Sequence, residues 1–197
     1  PHAAAAGRLC LVHNGIIENY RAIRARLEAK GHIFVSETDT EALARLIGEH
    51  YQGDLRKAVG QALAQVEGAY GIAVLAVDQP GVLVVARKGS PLVLGLGDGE
   101  TLVASDAAAL VAHTRRVIYL DDGDIAVLTA ESVDIRDRHD VIREREVAEL
   151  GLTAGAVEKG GYAHFMLKEI YEQPESVRNA LRGRLDAEHG TAVLAGM

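Results

Sequence analysis

The chain has 197 residues, of which 48% are hydrophobic but only 4% aromatic, so we expect one sizeable core built from aliphatic side chains. A formal net charge of −7 argues against nucleic acid and anionic membranes as partners, because both would repel an acidic surface. The single cysteine, Cys10, excludes an internal disulfide framework. Because the sequence shows no bilayer-spanning apolar stretch and no signal peptide, it predicts a cytoplasmic location.

The first apolar run, Leu9–Val12, has the length and composition of a buried strand. A segment with helical periodicity follows from Asn19 to Lys30 and ends at Gly31. Asn14-Gly15 lies between them, so the pattern predicts a strand, a sharp turn and a helix.

This predicted turn has two interpretations. Asn-Gly is a very common hairpin turn, and the dipeptide alone favours a purely structural role. At a strand-to-helix turn, however, the side-chain amide of Asn14 and the backbone N–H of Gly15 can be aimed at one spot, as an oxyanion hole requires. The local pattern does not decide between the two.

The next segment predicts a short strand at His32–Val35 and two further helices. Thr38 followed by Glu41 is a capping box, which marks the start of the second helix. Asp54 is a good N-cap for a third helix, whose apolar positions recur at helical spacing until Gly68.

From Tyr70 onward, short runs rich in β-branched residues alternate with turn residues, which predicts an antiparallel meander. A short Ala-rich helix is expected at Asp106–Ala112. The predicted strands are Tyr70–Val77, Val82–Arg87, Leu92–Leu96, Thr101–Ala104, Val117–Leu120, Ile125–Leu128 and Val133–Ile135.

Helical layers combined with antiparallel strands predict an α+β layered domain over residues 1–144. Residues 145–161 lose periodicity and predict a linker. Residues 162–197 begin with a second helical stretch, Tyr162–Leu181, which Pro174 is expected to break or restart.

Other candidate chemistry is weak. Gly95–Gly99 is rich in glycine but leads into a strand, whereas a dinucleotide-binding fingerprint must open a helix. The histidines lack the spacing of a zinc site. Cys10 lies within an apolar strand, where cysteines are usually inert.

Asp39, near the predicted start of the second helix, has two interpretations. Its carboxylate can simply complement the helix dipole, which contributes about 0.3 to 1 kcal/mol. It can also hold the ammonium group of a substrate at the end of a strand. Nothing local decides between these roles.

Several stretches, in the same order along nearly the whole chain, resemble the glutaminase domains of the glutamine–fructose-6-phosphate aminotransferase (isomerizing) family. They are His13–Asn19, Ser36–Glu41, Gly68–Gly71, Gly89–Val93 with Gly95–Gly97, and Lys168–Pro174. The resemblance implies an N-terminal nucleophile hydrolase fold, a four-layer αββα sandwich with antiparallel sheets that is incomplete at its N-terminus here. Residues 162–197 would begin the sugar isomerase region.

The resemblance also implies a chemistry. An N-terminal cysteine attacks the carboxamide of glutamine and forms a thioester with release of ammonia, which needs no cofactor. By position, Asn14 and Gly15 correspond to the oxyanion hole, Asp39 to the residue that binds the α-amino group, and His2 to a histidine lining the glutamine pocket. Fructose 6-phosphate would bind to isomerase domains outside this chain, in a full-length enzyme expected to be a homo-oligomer.

The N-terminal cysteine and an arginine that grips the glutamine carboxylate would precede Pro1. We therefore expect the chain to be a fragment without activity of its own, and its uncovered strands to cause self-association. A sibling amidotransferase of the amidophosphoribosyltransferase or asparagine synthetase type is one alternative. A non-catalytic interaction module that retains the scaffold is another, and a role for Pro1 as a catalytic base through its secondary amine is a third.

Overall fold

A computed structural model of the chain describes residues 1–4, 7–151, 161–181, 185–186 and 191–192. It divides into two compact units, Pro1–Gly151 and Leu152–Met197. No helix among the described residues is both long enough and apolar enough to cross a membrane.

The described part of the first unit contains three α-helices and ten strands. The helices are α1 (Tyr20–Ala29), α2 (Asp39–His50) and α3 (Leu55–Leu63). The strands are β1 (His2–Ala4), β2 (Leu9–Ile17), β3 (Gly68–Ala76), β4 (Leu83–Lys88), β5 (Val93–Leu96), β6 (Thr101–Ala104), β7 (Arg116–Tyr119), β8 (Ile125–Leu128), β9 (Val133–Arg136) and β10 (Ala148–Glu149).

These strands form two sheets, and every pair of neighbouring strands is antiparallel. The six-stranded sheet has the order β1-β2-β3-β4-β8-β9, and the four-stranded sheet has the order β10-β7-β5-β6. The predicted meander is therefore wrong in its connections, because the chain leaves one sheet after β4 and returns to it at β8.

The layers are held together by three groups of buried apolar side chains. The largest joins the three helices to the six-stranded sheet and includes Leu11, Leu43 and Ile72. A second, which includes Leu94 and Leu128, lies between the two sheets. A third covers the opposite side of the four-stranded sheet, where the predicted helix at Asp106–Ala112 is reduced to a 3-10 turn at Ala107–Ala109. The α+β layered architecture is confirmed.

Two predicted helix starts are confirmed by their caps. The Thr38 hydroxyl accepts a hydrogen bond from the Glu41 N–H at 3.2 Å, and the Asp54 carboxylate accepts one from the Lys57 N–H at 2.9 Å. Each satisfies a backbone donor that the first helical turn leaves unpaired. The third helix, however, ends at Leu63, and Gly68 begins β3.

The predicted turn at Asn14-Gly15 is wrong, because β2 runs through both residues and continues to Ile17. The chain reverses later, at Glu18-Asn19. There the Asn19 side chain donates to the Gln65 carbonyl at 2.9 Å and accepts from the Glu67 N–H at 3.1 Å. Contacts with residues distant in sequence thus set the position of the turn.

The predicted strand at His32–Val35 is also wrong. The Glu41 carboxylate accepts hydrogen bonds from the N–H groups of Val35 and Ser36, at 3.0 Å and 2.6 Å. These backbone donors are therefore paired with a side chain instead of a neighbouring strand. Cys10, expected in a buried strand, is exposed, because β2 buries only one of its faces.

The second unit contains α4 (Phe165–Leu181), β11 (Leu185–Asp186) and β12 (Thr191–Ala192). Helix α4 continues through Pro174, so the predicted break is wrong. The two strands form a small antiparallel pair. Residues 152–160 of the predicted linker lie outside the described residues. The earlier part of that linker contains β10, which belongs to the first unit and pairs there with β7.

Candidate active site

Gly15 lies where β2 and β3 approach closely, and only glycine fits there. Its φ is +134°, a conformation that L side chains rarely adopt, and a Cβ atom would lie 2.2 Å from the Ala69 carbonyl oxygen. Gly68 on the facing strand has the same property, because its Cβ would lie 2.2 Å from the Ile16 carbonyl oxygen. Two glycines, one on each strand, therefore permit this close pairing.

The backbone N–H of Gly15 faces an open edge of the sheet. Alternate residues of a strand direct their N–H groups to the same side, and the N–H of Ile17 points away from β3, toward Asp39. The N–H of Gly15 therefore points away from β3 as well. In the described residues β1 pairs only with Leu9–Leu11, so no strand covers the edge at Gly15.

Asn14 is the neighbouring donor. Its side chain is exposed, and its register partner on β3 is Gly71, which has no side chain to cover it. No side-chain hydrogen bond of Asn14 occurs in the described part of the chain. A side-chain amide and a backbone N–H, both without a partner among these residues, thus lie on consecutive positions, and both are neutral donors of the kind that stabilise an oxyanion.

Asp39 connects the start of α2 to this strand. Its Oδ2 accepts a hydrogen bond from the Ile17 N–H at 2.8 Å, and its Oδ1 accepts one from the Thr40 N–H at 2.8 Å. The Asp39 side chain is 23% exposed, so its carboxylate is accessible from solvent. An anionic group is therefore held two residues beyond Gly15 along β2.

His2 lies at the same helix start. Its Nε2 is 3.2 Å from the Thr38 hydroxyl oxygen, which also caps α2. The structure thus brings His2 and Asp39 together around the first turn of α2, with Asn14 and Gly15 on the strand fastened to that turn.

His13 also lies at this site, although the sequence did not predict it as a site residue. Its side chain is 2% exposed, and its Nδ1 lies 3.1 Å from the Thr40 hydroxyl and 4.0 Å from Asp39 Oδ2. Burial lowers the pKa of His13 below its usual value, against the opposing effects of the Asp39 carboxylate and the Ala69 carbonyl. The strand alternation Leu9, Leu11, His13 would have placed it on the buried face.

Glu41 is hydrogen-bonded to the loop before α2. It is 1% exposed, and besides the two loop N–H groups its carboxylate accepts from the Ser36 hydroxyl at 2.7 Å and from Arg45 at 2.8 Å. Burial alone would raise the pKa of Glu41, but these hydrogen bonds outweigh it and lower the pKa to about 2. The predicted capping box is therefore half formed: Thr38 caps the helix, while Glu41 holds the loop that leads to it.

A cleft of about 690 Å³ lies elsewhere, between the end of α3 and the Asp121–Asp124 turn. Its charged groups are largely paired, since Arg145 contacts Asp124 at 2.7 Å and Arg143 contacts Asp137 at 2.6 Å. None of Asn14, Gly15, Asp39 and His2 lines it. The contact between β2 and α2 is the better candidate site.

Solved structures share the fold of this chain. Glutamine phosphoribosylpyrophosphate amidotransferase from B. subtilis, complexed with ADP and GMP, is 28% identical with a TM-score of 0.56, over 66% of this chain and 29% of that chain. A structure described as the allosteric regulatory enzyme of purine biosynthesis is also 28% identical, with a TM-score of 0.57 over 66% and 28%. The fold is of the N-terminal nucleophile hydrolase type, as predicted.

Residues 1–112 match the family model of the glutamine amidotransferase domain. The chain therefore belongs to the glutamine amidotransferase family.

Relatives named glutamine–fructose-6-phosphate aminotransferase [isomerizing] match almost the entire chain. The relative from Chlorobaculum tepidum is 49% identical over 100% of this chain and 33% of its own length. A relative from Thermus thermophilus is 52% identical over 98% and 32%. The relative from Methanosarcina acetivorans is 45% identical over 95% and 32%. The chain thus spans about a third of the length of the relatives it matches.

Proposed function

We propose that this chain is the glutamine-hydrolysing part of a glutamine–fructose-6-phosphate aminotransferase (isomerizing). Such an enzyme converts fructose 6-phosphate and glutamine to glucosamine 6-phosphate and glutamate. Identities of 45–52% to relatives of that name, over nearly the whole chain, support this assignment. Within the longer protein, the chain would supply ammonia to a sugar phosphate bound elsewhere.

One observation carries the proposed chemistry: the Asn14 amide and the Gly15 N–H, both without a partner among the described residues, lie on the strand that is hydrogen-bonded to the Asp39 carboxylate. We assign the Asn14 amide and the Gly15 N–H to the oxyanion that forms when a thiolate attacks the carboxamide carbon of glutamine. Asp39 would receive the ammonium group of glutamine, and His2 would line the pocket beside it. Ammonia leaves, and water then hydrolyses the thioester to glutamate.

The attacking thiol is not supplied by these residues. The sole cysteine of the sequence, Cys10, is the second residue of β2 and has no free α-amino group to assist proton transfer. We therefore propose that the 197-residue chain on its own releases no ammonia from glutamine.

A hybrid enzyme tests this proposal. In the hybrid, this chain replaces the matching third of the Thermus thermophilus relative, which keeps its own preceding and following residues. We expect the hybrid to release ammonia from glutamine and to form glucosamine 6-phosphate, and the chain alone to match a heat-killed control. A folded hybrid without glutaminase activity, or clear turnover by the chain alone, would contradict the proposal.

A sibling amidotransferase is the second candidate, because the solved structures that share the fold include a phosphoribosylpyrophosphate amidotransferase. Its 28% identity over 66% of the chain is a weaker match than 52% over 98%. If the hybrid hydrolysed glutamine but transferred no ammonia to fructose 6-phosphate, this second candidate would be favoured.

Three further assignments remain predictions. The division into a glutaminase domain (1–144), a linker (145–161) and the start of an isomerase region (162–197) is supported by the order of the matching stretches. A homo-oligomeric full-length enzyme follows from the resemblance alone. A cytoplasmic location is supported by the single cysteine.

A further inference from the structure

His13 occupies an unusual position for a polar residue, because it lies on the face of β2 that is otherwise apolar. Leu11 and Ile17, on the same face, are buried in the helix-to-sheet core. The histidine side chain is almost fully buried with them, and its Nδ1 reaches the Thr40 hydroxyl at 3.1 Å. A buried polar group of this kind costs stability unless it is hydrogen-bonded, so this contact determines the ring's orientation.

The hydroxyl of Thr40 has one proton, and two acceptors compete for it. Asp39 Oδ1 lies 3.4 Å away and is an anion, whereas His13 Nδ1 would be a neutral acceptor. Hydrogen bonds to a carboxylate are about twice as strong as those between neutral groups. The hydroxyl proton is therefore directed to Asp39, and His13 must carry its proton on Nδ1 and donate it to Thr40.

The other ring nitrogen does not compete for this role. His13 Nε2 is buried and has no hydrogen-bond partner among the residues that the structure describes. The Nδ1–H form is thus the tautomer consistent with the two contacts of the Thr40 hydroxyl.

We propose that His13 is a positioning residue for glutamine binding: it donates to the Thr40 hydroxyl, which in turn orients the Asp39 carboxylate toward the ammonium group of glutamine. This inference rests on the proposed function, in which Asp39 binds that ammonium group. His13 touches neither glutamine nor the reacting atoms. Its effect is on the affinity for glutamine and not on the chemical step.

Two substitutions distinguish this role from simple core packing. An asparagine side chain places its amide N–H close to the position of Nδ1, whereas a glutamine side chain places it close to Nε2. His13→Asn therefore retains the donor to Thr40, and His13→Gln loses it while filling a similar volume. Thr40→Val removes the hydroxyl from the middle of the chain of hydrogen bonds at nearly constant shape.

The hybrid enzyme supplies the kinetic readout. We expect His13→Gln and Thr40→Val to raise the KM for glutamine about tenfold and to leave kcat within about twofold. The reason is that the ground state and the transition state should lose the same amount of binding free energy. His13→Asn should restore KM to within about threefold of the parent hybrid, because the donor to Thr40 is retained. Thermal melting of each variant verifies folding, and Thr40→Val provides the test should His13→Gln fail to fold.

Glutaramate, which is glutamine without its α-ammonium group, locates the effect. The rise in KM caused by Thr40→Val or His13→Gln should disappear with glutaramate, because the group that Asp39 binds is missing. Three results would overturn the inference. The first is a rise in KM that persists with glutaramate, and the second is an equal rise in KM in His13→Asn and His13→Gln. The third is a fall in kcat at unchanged KM. An active parent hybrid in which Asp39→Asn has no effect on KM would instead overturn the proposed role of Asp39.

Discussion

The carboxylate of Asp39 accepts a hydrogen bond from the backbone N–H of Ile17 at 2.8 Å. This bond fastens the first residue of α2 to the strand that carries Asn14 and Gly15. One strand therefore holds both parts of the proposed site: Asp39, for the ammonium group of the substrate, and the Asn14-Gly15 donors, for the oxyanion. Their spacing depends on the pairing of β2 with β3 and on the loop that leads into α2.

Replacing Asp39 by asparagine removes the charge at nearly constant shape. In the hybrid enzyme, we expect Asp39→Asn to raise the KM for glutamine about tenfold or more, because hydrogen bonds to charged groups are the stronger ones. Glu37→Gln is the matched control, since it removes an exposed charge from the loop just before α2 and should leave KM within about twofold. Equal effects of the two changes would indicate a general effect of charge instead of a binding role.

Replacing Gly15 by alanine tests the close pairing of β2 and β3. The added Cβ would meet the Ala69 carbonyl oxygen at 2.2 Å, in a backbone conformation that is already unfavourable. We expect the free energy of unfolding of the chain, measured with denaturant, to fall by at least about 2 kcal/mol. Gly53→Ala, at φ +94° in open space, should cost only about 1 kcal/mol. Similar losses at the two sites would contradict the close approach.

Glu41 gives the stability of the chain a specific pH dependence. Its pKa in the folded chain is about 2, well below its usual value of 4.5, so the unfolded state binds its proton more readily. The stabilisation, about 3 kcal/mol, is present above pH 4.5 and is lost as the pH falls from there toward 2. Glu41→Gln should be less stable than the parent chain at pH 7. It should also lose less stability between pH 5 and pH 3, and the difference should correspond to the titration of about one carboxyl group. Parallel pH profiles of the two chains would refute this.

The outer face of β2 and β3 should make the isolated chain self-associate. Val12, Ile16 and Leu75 on these strands are 48%, 67% and 51% exposed, respectively. We expect elution ahead of a monomer at roughly tens of micromolar, because contiguous apolar patches and open sheet edges favour association. Leu75→Lys should weaken association more than Val35→Lys, which alters an exposed apolar residue on a loop. A monomeric elution profile of the parent chain would contradict the prediction.

The sequence is informative where one local pattern decides the structure. The N-cap at Asp54 and the strands Thr101–Ala104 and Ile125–Leu128 follow from periodicity and turn chemistry, and the structure has them at those positions. The class of fold follows from the same elements together with the family resemblance.

The errors arise where a distant group determines the local conformation. The Asn-Gly pair is a turn by local statistics, but Gly68 on the facing strand allows β2 to continue through it. The strand expected at His32–Val35 gives way to a loop because Glu41 takes its N–H groups. Likewise, the hydrogen bond from the Ile17 N–H to the Asp39 carboxylate joins two segments that no local sequence pattern predicts to be close. The roles of Asn14, Gly15, Asp39 and His2 in the site remain proposals.

The most direct measurement is the kcat for glutamine hydrolysis by the hybrid enzyme carrying Asn14→Ala. If the Asn14 amide stabilises the oxyanion, its removal should cost about 2.7 to 4 kcal/mol of transition-state stabilisation, so kcat should fall about 100- to 1,000-fold. Asn14→Asp, which keeps the shape but removes the N–H donor, should show a similar loss. A change in kcat of less than about threefold in a folded Asn14→Ala hybrid would contradict the assignment of this site.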